Sequence, residues 1–170
     1  DFDNLDSELR DIQRILSEAD IDEWDSGVPS WDMIRQAAAS LKTLADPDLV
    51  YIVRTDAGRP LAFVVSVPNY NEVLIHMNGR LFPFGFIHVL RALKKNDRAD
   101  LYLITVKPEY QGKGVNAILI NQVSKVFARY GITKAESNPE LETNHLVQGQ
   151  WKHFTTRQHK RRRCYIKHLN

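Results

Sequence analysis

The spacing of apolar positions changes along the chain, and each change marks an element. Leu5, Leu9, Ile12, Leu16 and Ala19 recur at steps of three and four, which predicts an amphipathic helix over residues 4–20. Ser30 can cap a second helix, with Asp32 in its first turn. Trp31, Ile34, Ala38, Leu41 and Ala45 form its apolar stripe, and Pro47 bars continuation. The period then shortens. Leu49–Val53 and Leu61–Val67 are β-rich runs joined by the turn residues Asp56-Ala57-Gly58-Arg59-Pro60 and closed by Pro68, so they predict a hairpin.

Residues 69–99 are less regular. Val73, Leu74 and Met77 suggest one or two helical turns, and Phe86, Val89, Leu90 and Leu93 a further helix. Asn78-Gly79-Arg80 and Phe82-Pro83-Phe84-Gly85 interrupt them. A long connection rich in aromatic side chains either fills core or roofs a binding site. Leu101–Val106 reads as a strand. Val115, Ile118, Leu119, Val123, Val126, Phe127 and Tyr130 then mark a long helix that Gly131 ends. Residues 132–137 predict a short strand. Leu146, Val147, Trp151 and Phe154 predict a helix from about Asn144, and Arg163–Ile166 a last strand. A hairpin followed by strand–helix alternation implies an α/β chain with a mixed sheet and helices on both faces.

Composition adds boundaries. The 170 residues, 43% hydrophobic and 26% charged, suit one folded domain. No run approaches the length of a membrane span, and Asp1-Phe2-Asp3-Asn4 is not a signal sequence, so a cytoplasmic setting and no membrane partner are expected. Cys164 is the only cysteine, which excludes an internal disulfide and CxxC zinc sites. The six histidines show no metal-binding spacing, so no metal is expected. The net charge of +2 is unevenly placed: residues 1–50 hold 13 acids and four bases, residues 151–170 seven bases and no acid. The run Lys160-Arg161-Arg162-Arg163 either forms a solvated face or meets a phosphorylated ligand or nucleic acid.

The chemistry-bearing segment is Val106-Lys107-Pro108-Glu109-Tyr110-Gln111-Gly112-Lys113-Gly114-Val115-Asn116, which joins a strand to a helix. Two glycines let the backbone approach a ligand, and the first amides of a helix lack intrahelical partners. Backbone N–H groups from Gln111 to Val115 can therefore surround a pyrophosphate, with charge from Lys113. A Walker A loop is excluded, because Lys107 and Gly114 stand where it needs Gly and Ser or Thr. A dinucleotide fingerprint would need Gly at Ala117.

This segment resembles the acetyl-CoA signature of the GNAT N-acetyltransferase superfamily, (Arg/Gln)-x-x-Gly-x-(Gly/Ala). Gln111 and Gly114 take its first two places, and Asn116 departs from the third. Asn78–Gly85, the loop, Glu136 and Leu141-Glu142-Thr143-Asn144 are similar to a narrower group of bacterial GNAT-like proteins without a defined substrate. The resemblance implies a GNAT-like sheet that lacks the usual first strand and carries a helical insertion before the fourth. The chain then reads as one domain of a longer protein.

The resemblance also implies acyl transfer from acetyl-CoA to an amine of a small molecule or peptide. Backbone of Ile104, Thr105 and Val106 would meet pantetheine in a gap between splayed strands, and Asn144 would lie near the cofactor. In many members a Tyr seven residues after that Asn donates a proton; here Trp151 stands there, and an indole is no usable acid. Glu136, Glu142, His145 and Tyr102 are the remaining candidate bases or donors, Tyr102 with a core position as its alternative. The rival expectations are a non-catalytic CoA-binding or protein-interaction domain, and nucleic-acid binding through residues 157–163. A homodimer completing the missing first strand is a further expectation.

Overall fold

The computed structural model describes residues 4–19, 28–41, 46–77, 96–163, 165 and 167. Its elements in order are α1 (Leu5–Glu18), α2 (Trp31–Leu41), β1 (Val50–Arg54), β2 (Pro60–Pro68), α3 (Asn71–Met77), β3 (Arg98–Val106), α4 (Val115–Tyr130), β4 (Lys134–Ser137) and α5 (His145–Gly149). Short 3₁₀ turns occupy Pro47–Leu49, Pro108–Tyr110 and Gln150–His153. The four strands lie in sequence order, antiparallel from β1 to β3 and parallel between β3 and β4. The mixed sheet expected from the sequence is therefore present.

Local chemistry explains most boundaries. Ser30 Oγ accepts from the Met33 N–H at 3.3 Å and starts α2. In the hairpin, Gly58 adopts φ 79° and Thr55 N–H donates to Arg59 O at 2.9 Å. Gly131 takes φ 71° at the end of α4, where its N–H and that of Ile132 satisfy the carbonyls of Ala128 and Phe127.

Strand β2 is central and buried over most of its length, so its two faces define two layers. Ala62 and Val64 pack with Val115, Leu119, Val123, Val126 and Phe127 of α4. Phe63 packs on the opposite face with Ile15 and Leu16 of α1, joined by Ile52, Val65 and Leu103. Arg54 fastens the end of β1 to α1 through Glu8 at 3.0 Å and Asp11 at 2.8 Å. The Arg10 guanidinium lies 4.7 Å from the Trp31 ring centre and links α1 to α2.

Several expectations change. Ile118 and Tyr130, counted in the apolar stripe of α4, are exposed, and Tyr130 instead donates to Asp48 at 3.2 Å. The helix from Asn144 stops after five residues at Gly149, and Leu146 points outward. Arg163 and Tyr165 belong to no strand, since a run of four bases offers no apolar face to bury. Cys164, Ile166 and the aromatic insertion with Phe82, Phe84 and Phe86 lie outside the described residues, as does Asn78–Gly85.

The Gly131→Ala substitution isolates the backbone contribution, because an added Cβ would meet nothing within 4 Å. It should lower unfolding free energy by about 1–2 kcal/mol, the cost of left-handed backbone for an L-residue. Urea unfolding with an unchanged m-value would check it.

Candidate active site

The site begins where β3 and β4 part. Their pairing runs through Arg98–Lys134, Ala99–Ala135, Asp100–Glu136 and Leu101–Ser137, then stops. Pro139 follows two residues later and has no N–H to continue a ladder. Strand β3 runs on to Val106 without β4.

Which groups face this gap follows from the register. The β2–β3 pairing jumps from Val65–Leu103 to Ser66–Leu101, so Tyr102 is an unpaired bulge residue. Lys107 N–H donates to Leu61 O at 3.0 Å, and hydrogen-bonded pairs alternate along an antiparallel ladder. Thr105 and Leu103 therefore turn their polar backbone toward β2, while Tyr102, Ile104 and Val106 turn theirs to the gap. Two of those three are engaged: Asn138 Nδ2 donates to Tyr102 O, and Gln111 Nε2 donates to Val106 O at 3.1 Å. Ile104 lies between them. Of the trio Ile104, Thr105 and Val106, geometry thus leaves Ile104 as the backbone facing the gap without such a cover.

The loop at the end of β3 is held open. Tyr110 and Gln111 donate their amides back to Lys107 O and Pro108 O, at 2.9 and 3.2 Å. The Gln111 amide is consequently consumed by the turn that Pro108 opens, which differs from the sequence expectation. The amides of Gly112, Lys113, Gly114, Val115 and Asn116 have no backbone partner among the described residues, and α4 makes its first bond from Ile118 to Gly114 O. Gly112 and Gly114 have φ 71° and 82°, and a Cβ at either would meet nothing within 4 Å. The Lys113 ammonium rests 5.5 Å from the Tyr110 ring centre. The result is a run of backbone N–H groups without backbone partners at a helix N-terminus, where the helix dipole adds positive potential.

The Asn116 side chain turns inward. Its Nδ2 donates to Gln150 Oε1, tying the start of α4 to the segment after α5. Lys107 is only 3% exposed and its ammonium meets Glu18 Oε2 at 2.6 Å, which pins the end of α1 beneath the loop.

The acid–base candidates separate clearly. Tyr102 is 50% exposed beside the gap, so it is not a core residue. Glu136 is held ionised and is a weakened base: the hydrogen bond from Lys160 at 2.6 Å lowers its pKa, helped by His159 at 3.4 Å. Glu142 is exposed and paired with Arg161. His145 is exposed at the first position of α5, and Asn144 caps that helix by accepting from Val147 N–H at 3.1 Å. The Trp151 indole donates to Glu140 Oε1 at 2.8 Å.

Asp100, which the sequence reading missed, is the group with the opposite tendency. Partial desolvation raises its pKa, neighbouring Glu136 adds to that, and the hydrogen bond from Asn69 Nδ2 at 2.7 Å acts against it. Its β2 partner Val67 and the buried Ala99 beside it place Asp100 on the α1 face of the sheet, one residue before the gap. The spacing Ala99, Leu101 was the available signal that the strand starts before Leu101.

Comparison with known proteins agrees with this architecture. A profile of the acetyltransferase (GNAT) family matches residues 11–148. Protein YghO of Escherichia coli is 36% identical over 135 residues, covering 76% of this chain and 34% of the relative. A bacterial ceramide synthase of Caulobacter vibrioides is 34% identical over 113 residues, covering 65% and 29%. The chain thus spans about a third of the length of the curated relatives it matches. Among solved structures, the aminoglycoside 6'-N-acetyltransferase AAC(6')-Ih of Acinetobacter baumannii superposes with a TM-score of 0.61 at 19% identity, covering 97% of this chain and 95% of that one. The chain belongs to the acetyltransferase (GNAT) family. No helix among the described residues is long and apolar enough to cross a membrane.

The raised Asp100 pKa has a stability consequence with a defined sign. The folded state holds this proton more tightly than the unfolded chain, so the associated stability is present below the unfolded pKa and is lost as pH rises through the folded one. Asp100→Asn removes the charge while keeping an acceptor for Asn69. It should melt higher than the parent at neutral pH and lose that advantage in acid, as melting curves across pH would reveal.

Proposed function

We propose that the chain catalyses acyl transfer from an acyl-coenzyme A, most simply acetyl-CoA, to an amine. The observation that carries this reading is the row of unpartnered amides from Gly112 to Val115 beside a sheet gap. Those amides, with Lys113, would hold the pyrophosphate. Ile104 would meet pantetheine, with Thr105 and Val106 supporting the strand that presents it and Gln111 bracing the loop from below. Asn116 and Asn144 would steady the two helix starts that flank the ligand. An acyl-coenzyme A would supply the thioester, whose acyl carbon forms the amide with the amine as the C–S bond breaks and coenzyme A leaves as the thiol.

Asp100 is the better base for an incoming ammonium, because its proton affinity is raised while that of Glu136 is lowered. Tyr102, exposed and with its backbone at the gap, would supply the phenol that reprotonates the leaving thiolate, the task Trp151 cannot perform. Glu136 and His145 then serve as charge partner and helix start. A ceramide is the amide of a long-chain amino alcohol, so the relative named for ceramide synthesis supports N-acylation as the reaction type. The acceptor panel should include such amino alcohols beside small and peptide amines.

A second reading, binding without turnover, is favoured by one observation: the Trp151 indole is committed to Glu140. Thiol release with the amine panel separates the two.

Saturating coenzyme A should stabilise the fold by about 2.7 kcal/mol at 100 times its Kd. Gly114→Glu should abolish this melting shift, and no shift in the parent would overturn the reading. Asp100→Asn and Tyr102→Phe should each lower kcat by about 10²-fold or more with coenzyme A binding intact, and the acid limb of kcat/KM, above the ordinary Asp range, should disappear in Asp100→Asn.

A further inference from the structure

The basic C-terminal segment is not absorbed by the acyl-transfer site. Lys160 reaches Glu136 at 2.6 Å and Arg161 reaches Glu142, so the segment lies across β4 and the turn before α5. Those two contacts use only part of its charge. Lys152, Arg157, Arg162, Arg163 and Lys167 are exposed and carry no ion pair among the described residues, and residues 151–170 contain no acid.

The same stretch of chain, residues 141–165, exposes large apolar side chains. Leu146 and Tyr165 are each 83% exposed, with Leu141 and Phe154 about half exposed. Gln148 Nε2 donates to the carbonyls of Leu141 and Glu142, at 3.0 and 3.2 Å, which folds α5 onto the turn that Arg161 holds. Leucines and arginines are thereby brought to one neighbourhood. Exposed leucines beside solvated bases form a mixed apolar and cationic surface that a partner with both characters would cover.

We propose that this surface docks on an anionic lipid bilayer, with the arginines at the phosphate level and Leu141, Leu146 and Tyr165 entering the interface. Attachment of this kind needs no membrane-spanning helix; basic charge and shallow apolar insertion together suffice. It departs from the expectation of no membrane partner, which rested on the absence of a spanning run. Nucleic acid would satisfy the arginines, but aliphatic leucines neither stack on bases nor bond to phosphate. The proposal stands independently of the acyl-transfer reading.

Co-sedimentation with vesicles tests it. The intact chain should pellet with vesicles of equal parts phosphatidylcholine and phosphatidylglycerol and stay in the supernatant with phosphatidylcholine alone. Arg162→Glu with Arg163→Glu should weaken partitioning by about tenfold or more, at roughly fivefold per charge near an anionic leaflet. Leu141→Ser with Leu146→Ser should weaken it too, and should abolish what remains when salt screens the charges. All four positions are exposed, and a melting curve of each variant confirms that it folds; Arg157→Glu is the single-site control. Failure to pellet with the anionic vesicles overturns the proposal. So does full binding by the leucine variant, or tighter binding to a single-stranded oligonucleotide that the leucine variant retains.

Discussion

The parting of β3 from β4 is the constraint on which the arrangement of the molecule rests. Two strands that stayed paired to Val106 would close the sheet and leave the following loop beside a solid edge. Here four residue pairs hold them, and Asn138 and Pro139 then deny the ladder another rung. The strand that continues must satisfy its exposed backbone in other ways. Asn138 and Gln111 do this from the two ends, leaving Ile104 between them. The carboxylates of Asp100 and Glu136 sit on paired residues in the last part of the ladder, and Asp100 is partly shielded from solvent.

Packing fixes where this opening lies. The α4 face presents Val115 and Leu119 to the centre of the sheet, so the first turn of that helix is anchored while its amides face outward. The α1 face contributes Ile15 and Leu16 to the other core, and Glu18 then meets the buried Lys107. A buried ammonium is tolerable only with a partner, so this pair fixes the end of α1 relative to the start of the loop. The two layers thereby meet at the residue that precedes the loop of unpartnered amides.

Elements whose signals are local were readable from the sequence. Ser30 as a cap, Gly58 in the hairpin turn, Gly131 as a helix end and the 3.6-residue spacing of Val115, Leu119, Val123 and Val126 all depend on neighbours within a few positions. The glycine-rich strand-to-helix loop was legible for the same reason. What was not legible depended on partners far along the chain. The pairing of Glu136 with Lys160 spans 24 residues, and the covering of Tyr102 O by Asn138 spans 36. Asp100 was missed because a charged residue at a strand start looks like the end of a loop until the β4 partner is known. Gln111 lies between the cases: Pro108 announces a turn, yet only the geometry reveals which amide that turn consumes. Leu146 was misassigned because five helical residues are too few for a periodicity to choose a buried face.

The two left-handed glycines of the loop carry an implication for kinetics. Gly112 and Gly114 hold φ values that most residues avoid. Under the proposed reading, a loop already shaped in this way would take up a diphosphate with little lost to freezing the chain. Encounter would then be governed by diffusion and the local field, with no slow rearrangement of the receptor interposed.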